Sequence, residues 1–116
     1  LINSQLNKYN KIITELAKGE TILEIGCGWG GFIKAAEAKG FITKGLTLSK
    51  EQKSYTDNLI EQYKLKSYTA LQDYRFEENK YDNIVSIEMF EAVGQKYWQK
   101  YFSQIKKCLK EQLMIL

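Results

Sequence analysis

A chain of 116 residues with 44% hydrophobic and 27% charged side chains can bury one small core, which excludes both a multidomain assembly and a disordered chain. Its net charge of +3 is spread along the sequence, and no basic stripe interleaves with aromatics, so nucleic acid is not an expected partner. No run of about 18 apolar residues offers a membrane span, and two cysteines, Cys27 and Cys108, without any histidine argue against zinc and for a reducing cytoplasm.

In chain order, Ile2, Leu6, Tyr9, Ile13 and Leu16 recur at alternating spacings of four and three, the stripe of an amphipathic helix capped by Asn3 or Ser4 and ended by Gly19. The stretch from Leu1 to Gly40 has no signal-peptide core, and a start at Leu1 rather than Met points to a processed, truncated or excised chain. Thr21 to Ile25 is a short apolar strand that runs into a glycine cluster from Gly26 to Gly31. A helix over Phe32 to Lys39 stops at Gly40. A second strand follows from Phe41 to Leu48, and Ser49 N-caps a helix from Lys50 to Tyr63. Ser67 to Leu71 forms a third strand, Asp73 to Lys80 a polar loop, and Asn83 to Ile87 a fourth strand. Gln95 to Lys110 reads as a helix, and Leu113 to Leu116 begins a fifth strand. Lys106, Lys107 and Lys110 form its basic patch, a solvated face by default and an anionic-membrane contact as the sharper alternative. Strands that alternate with helices imply crossover units and a parallel sheet, here a single partial domain over residues 1–116.

The informative segment is EIGCGWGG over residues 24–31, placed between a strand and a helix. Gly26 and Gly28 let the backbone approach a ligand closely, and Glu24 ends the strand just before the turn. Gly26, Gly28 and Gly31 also satisfy the dinucleotide fingerprint GxGxxG. That motif needs an acid roughly 20 residues on, at the end of the second strand, to hold ribose hydroxyls. This strand instead ends in Thr47 and Leu48, and Glu51 falls in the next helix. An acid before the glycines suits a ligand with a cationic amino-acid tail, as in S-adenosylmethionine, better than a pyrophosphate. A bare tight turn is the remaining reading, and four glycines in six positions exceed what it needs. Cys27 is a small side chain tucked beside the loop rather than a nucleophile; Trp29 either packs on the loop or touches the ligand.

Four strings then carry a specific resemblance: LEIGCGWGGF over 23–32, GLTLSKEQ over 45–52, LQDYR over 71–75 and IVSIEMFEAVG over 84–94. Together with Tyr97, Trp98, Tyr101 and Phe102 they are similar to the cyclopropane-fatty-acyl-phospholipid synthases and the mycolic-acid cyclopropane synthases, over essentially the whole chain. The resemblance implies an α/β, Rossmann-like class I methyltransferase fold truncated after about five strands. It implies S-adenosylmethionine as carbon donor, and as substrate the cis double bond of an acyl chain on a membrane phospholipid. Another small or lipid-like methyl acceptor, or a non-catalytic cofactor-binding remnant, stays open beside it. Gly26, Gly28 and their neighbours Glu24, Cys27, Trp29 and Gly30 would meet the methionine end of the cofactor. Thr47, Leu48 and Gln52 would line the ribose and adenosine side, which accounts for the missing acid. Asp73 and Tyr74 would sit by the adenine, Tyr74 either stacking on it or packing in its loop.

The same resemblance makes Glu91 the catalytic candidate, holding a bicarbonate that takes the proton released on ring closure; the alternative is an acid that favours a helix dipole. Tyr97, Trp98, Tyr101, Phe102 and Ile105 form a broad helical face read as core packing before lipid contact. Departures from the family pattern are a missing N-terminal segment, the missing later strands with their histidine and tyrosine, and Glu111-Gln112 in place of a Pro-Gly-Gly turn. Such a chain is expected to be inactive alone, to self-associate through an exposed sheet edge, and to lie in the cytoplasm or against the inner face of the membrane.

Overall fold

The computed structural model describes residues 2–16, 19–86, 107–108 and 114–115, with side chains over 6–16, 19–86 and 107–108. Helix α1 (Ile2–Thr14) is followed by β1 (Thr21–Ile25), α2 (Gly31–Glu37), β2 (Ile42–Thr47), α3 (Lys50–Gln62), β3 (Tyr68–Leu71), β4 (Asn83–Val85) and β5 (Met114–Ile115). The strands form one sheet in the order β3-β2-β1-β4-β5, and every pairing is parallel. Strand order therefore reverses direction at β1, as in a doubly wound sheet. The glycine loop leaves β1 at that switch point.

Side-chain alternation along β1 sends Ile22 to one face and Leu23 and Ile25 to the other. Ile22 packs with Ile13, Phe32, Ala35, Ala36 and Val85, and Tyr9 and Ile12 of α1, with Leu16 just beyond it, close that layer. Leu23 and Ile25 pack with Leu46, Tyr81, Ile84 and Cys108 on the opposite face. Each face is thus covered, the condition under which short parallel strands stay apolar throughout.

Several boundaries differ from the sequence expectation, each for a local reason. Asn3 and Ser4 lie inside α1 rather than at its cap, and α1 ends at Thr14, well before Gly19. Thr14 turns its hydroxyl back onto the carbonyl of Lys11 at 2.7 Å, the local bond by which Thr competes with helix continuation. β3 begins at Tyr68 instead of Ser67 because Glu37 takes Ser67 out of the ladder. Its carboxylate accepts from Lys66 N (2.6 Å), Ser67 N (2.9 Å) and Ser67 Oγ (2.6 Å). Within the polar loop, Tyr74–Phe76 forms a 3-10 turn capped by Asp73. At the N-terminal edge of the sheet, Asp82 accepts from Glu20 N, Thr21 N and Thr21 Oγ1 at 2.9–3.1 Å. The expected helix over Gln95 to Lys110 is described only at Lys107 and Cys108, which are helical, with Lys107 exposed and Cys108 buried. No helix among the described residues is long and apolar enough to cross a membrane.

Candidate functional site

Because the strands run parallel, the C-terminal ends of β1, β2 and β3 share one edge, and their loops line an open cavity of about 560 Å³. β1 contributes Ile25, Gly26 and Gly28; β2 and the start of α3 contribute Leu46, Thr47, Leu48, Ser49 and Gln52; the loop after β3 contributes Gln72, Asp73 and Tyr74. Seven of these residues were expected from sequence as ligand contacts: Gly26, Gly28, Thr47, Leu48, Gln52, Asp73 and Tyr74.

The loop is held open from behind. The amides of Gly26 and Cys27 both donate to the Leu46 carbonyl, at 2.9 and 2.8 Å, and Thr56 Oγ1 donates to the Gly28 carbonyl at 3.1 Å. Gly26, Gly28 and Gly30 all have left-handed backbones, with φ of 79°, 54° and 87°. A Cβ on Gly28 would meet nothing within 4 Å, whereas one on Gly30 would lie 2.9 Å from Thr56 Cγ2. Gly28 therefore faces the open cavity, and Gly30 faces protein.

Gly45, in the middle of β2, completes the mount. A Cβ there would fall 2.7 Å from Cys27 Cβ and 2.8 Å from Ile33 Cδ1, so the glycine loop rests directly on bare β2 backbone. Its sequence signal was a glycine inside a strand pattern, a mark of close backbone approach. Gly45→Ala should cost about 1–3 kcal/mol by overpacking, read as a lowered midpoint in thermal or urea unfolding.

Four expected contacts lie off the cavity wall. Glu24 is 3% exposed and by strand alternation shares the α2 face with Ile22, not the cavity face with Ile25. Cys27 is buried beneath the loop, and burial, with Glu24 adding to it, pushes its thiol up to about 12; it is a protonated packing group at neutral pH. Trp29 is half exposed and meets Tyr55 of α3 edge-on, with centroids 5.3 Å apart. Gly30 caps α2. Glu91, Tyr97, Trp98, Tyr101, Phe102 and Ile105 lie outside the described residues.

Sequence reading missed Ile25, Leu46, Ser49 and Gln72 as wall residues. Period-two alternation from Leu23 would have placed Ile25, and Gln72 stands inside the LQDYR string.

The polar lining is ordered by its own hydrogen bonds. Thr47 Oγ1 accepts from Ser49 N and donates to Gln52 Oε1, both at 3.1 Å, while Ser49 caps α3 by accepting from Gln52 N. Arg75 binds both oxygens of Asp73, Nη2 to Oδ2 at 2.7 Å, and holds that carboxyl below the usual carboxylate range. Tyr74 lines the cavity and also packs against the Leu23–Ile25 core cluster. Burial first, then the Asp73 charge, raises its phenol, so it stays protonated.

Behind this wall lies a buried ionic cluster. Glu77 accepts from Lys44 Nζ at 2.9 Å, Gln72 Nε2 at 2.9 Å and Tyr81 Oη at 2.5 Å. Burial alone would raise its carboxyl, but the hydrogen bonds of Tyr81 and Lys44 and the Lys44 charge outweigh it and hold it low.

Set beside known proteins, residues 1–116 match the mycolic acid cyclopropane synthetase family. The chain is 36% identical over 103 residues to the cyclopropane-fatty-acyl-phospholipid synthase of Escherichia coli, covering 88% of this chain and 26% of that protein. It is 32% identical over 114 residues to the tuberculostearic acid methyltransferase of Mycobacterium tuberculosis, covering 95% of this chain and 27% of that one. The chain thus spans about a quarter of the length of these curated relatives. Among solved structures, a mycolic acid cyclopropane synthase complexed with SAH and CTAB superposes with a TM-score of 0.84 at 29% identity, over 94% of this chain and 40% of that one.

Proposed function

The chain belongs to the mycolic acid cyclopropane synthetase family, and we propose that it supplies the S-adenosylmethionine-binding part of an enzyme that adds one carbon to the cis double bond of a phospholipid acyl chain. The observation that carries this reading is the cavity at the C-terminal edge of β1–β3. Its volume of about 560 Å³ suits a small organic ligand. Its chemistry suits this one: bare glycine backbone at one end, Thr47 and Gln52 where two ribose hydroxyls need polar partners, and Tyr74, Leu46 and Leu48 as apolar walls for a base. No acid ends β2, which speaks against a nicotinamide dinucleotide. The solved relative in complex with SAH supports the same ligand class.

What the cofactor supplies is an electrophilic sulfonium methyl for an alkene held in line and close. This chain's own residues bind and orient it. Gly26 and Gly28 leave room for the methionine end, and Gln72, Asp73 and Tyr74 line the other. Glu91 would hold a bicarbonate by accepting the hydrogen bond of its hydroxyl, so that a base stands ready for the proton released on ring closure. The name of the Mycobacterium tuberculosis relative favours a second reading of the same site, methyl transfer to an acyl chain without ring closure. A lipid-bound substrate would require the parent enzyme to work at a membrane surface, in this reading the inner face. Self-association would use β3, which forms one edge of the sheet and exposes Tyr68 and Leu71.

Titration calorimetry of this chain tests the cofactor assignment: S-adenosylhomocysteine should bind, and NADH at the same concentration should give no heat. Binding of NADH in its place would overturn the reading. In a full-length parent, one-carbon transfer to vesicles of cis-unsaturated phospholipid, and none to saturated ones, tests the substrate class.

A further inference from the structure

We propose that Glu77 is a positioning residue that turns the side-chain amide of Gln72 into an obligate hydrogen-bond acceptor on the cavity wall, so that the site selects a base bearing an amino group over one bearing a carbonyl. The inference rests on the cofactor reading above and adds to it how the base is told apart. Gln72 is a wall residue whose backbone amide is fixed by the Thr47 carbonyl at 3.0 Å. Its side chain has a donor end and an acceptor end. An ionised carboxylate only accepts, so Glu77, 2.9 Å away, takes the donor end.

Glu77 itself cannot turn to offer anything else. Lys44 holds it at 2.9 and 3.3 Å and Tyr81 at 2.5 Å, and its side chain is 1% exposed. Gln72 Oε1 is therefore the end left over, and no described residue donates to it. The other acceptor on this stretch of wall, Asp73, already takes hydrogen bonds from Arg75 on both oxygens. A base with an exocyclic amine gives Gln72 Oε1 the proton it lacks, while a 6-oxo base sets two lone pairs against each other. Sites built to hydrogen-bond one group reject the analogue that lacks it more strongly than apolar sites do.

The test compares S-adenosylhomocysteine with S-inosylhomocysteine by calorimetry on the full 116-residue chain. The native chain should prefer the adenosyl compound by about tenfold or more. Glu77→Gln, which can offer its own amide donor and let Gln72 rotate, should narrow that preference to about threefold or less while adenosyl binding persists. Gln72→Leu removes the acceptor but leaves Lys44, Tyr81 and Glu77 together, and should also erase the preference. Loss of preference in these variants is a readout that a merely stabilising cluster would not move. Equal affinity of the native chain for both compounds overturns the inference, as does a preference retained in Gln72→Leu. Should Glu77→Gln fail to fold, the native ratio and Gln72→Leu decide it. If the native chain binds neither compound, the cofactor reading fails, and the inference with it.

Discussion

Gly28→Val should weaken S-adenosylhomocysteine binding by roughly a hundredfold while leaving the chain folded, because its new methyls enter the space the ligand needs. Crowding of this kind costs about 1–3 kcal/mol in a packed contact, and 1.4 kcal/mol is a factor of ten in affinity. The left-handed backbone at φ 54° adds strain of about 1–2 kcal/mol in stability, so a lower melting temperature alone would prove nothing. Gly40→Ala supplies the control. It has φ 95°, nothing lies within 4 Å of its Cβ, and it sits past the end of α2, away from the cavity. It should lose comparable stability and bind normally. Gly30→Ala is the opposite control, since its Cβ meets Thr56, a fully buried residue whose hydroxyl is committed to the Gly28 carbonyl. Strain and overlap together cost about 2–5 kcal/mol there, a large share of a small domain's stability. A Gly28→Val chain that binds like the native one would remove the glycine loop from the ligand site.

That contrast between neighbouring glycines marks how far the sequence could be read. Alternating strand and helix patterns, and Ser49 as the cap of α3, needed only local signals, and the parallel sheet followed from them. Gly26 and Gly28 on the cavity wall were legible because they lie just beyond the end of β1, where a parallel sheet gathers its loops, whereas Thr47, Leu48 and Gln52 followed from the family resemblance. Trp29 and Gly30 share the same string, but the turn spirals through three left-handed residues into α2 and carries them off the wall. Nothing in residue spacing records that rotation. Glu24 was expected beside the ligand from its place at the strand end, yet the pleat sends it to the α2 face. Glu77 acts through a contact between segments far apart in the chain, spanning 33 residues to Lys44. A single sequence carries no signal for such a pairing.

The Lys44–Glu77 pair sets the second large effect. Lys44→Met should destabilise the chain by about 3 kcal/mol at neutral pH, the low end of the 3–5 kcal/mol lost on breaking a buried pair. The low end applies because the Lys44 side chain keeps 13% of its exposure. For a domain of this size, the melting midpoint should fall by roughly 12 °C or more. The sign of the pH dependence follows from Glu77. In the native chain its carboxyl sits below its ordinary value, so it contributes stability above the unfolded pKa of about 4.3 and loses it as pH falls through the folded value. Without Lys44, neither its hydrogen bond nor its charge offsets burial, so the folded value rises and an ionised Glu77 contributes less to folding. The gap between Lys44→Met and native chains should then be widest near pH 7 and close on acidification, as Glu77 takes up a proton and no longer needs a counter-charge. Lys44→Met combined with Glu77→Gln should cost less than the two changes summed, because the second removes the charge the first left stranded. A gap of constant size from pH 7 down to pH 4 would mean that Lys44 stabilises this wall through its methylene packing rather than through its charge.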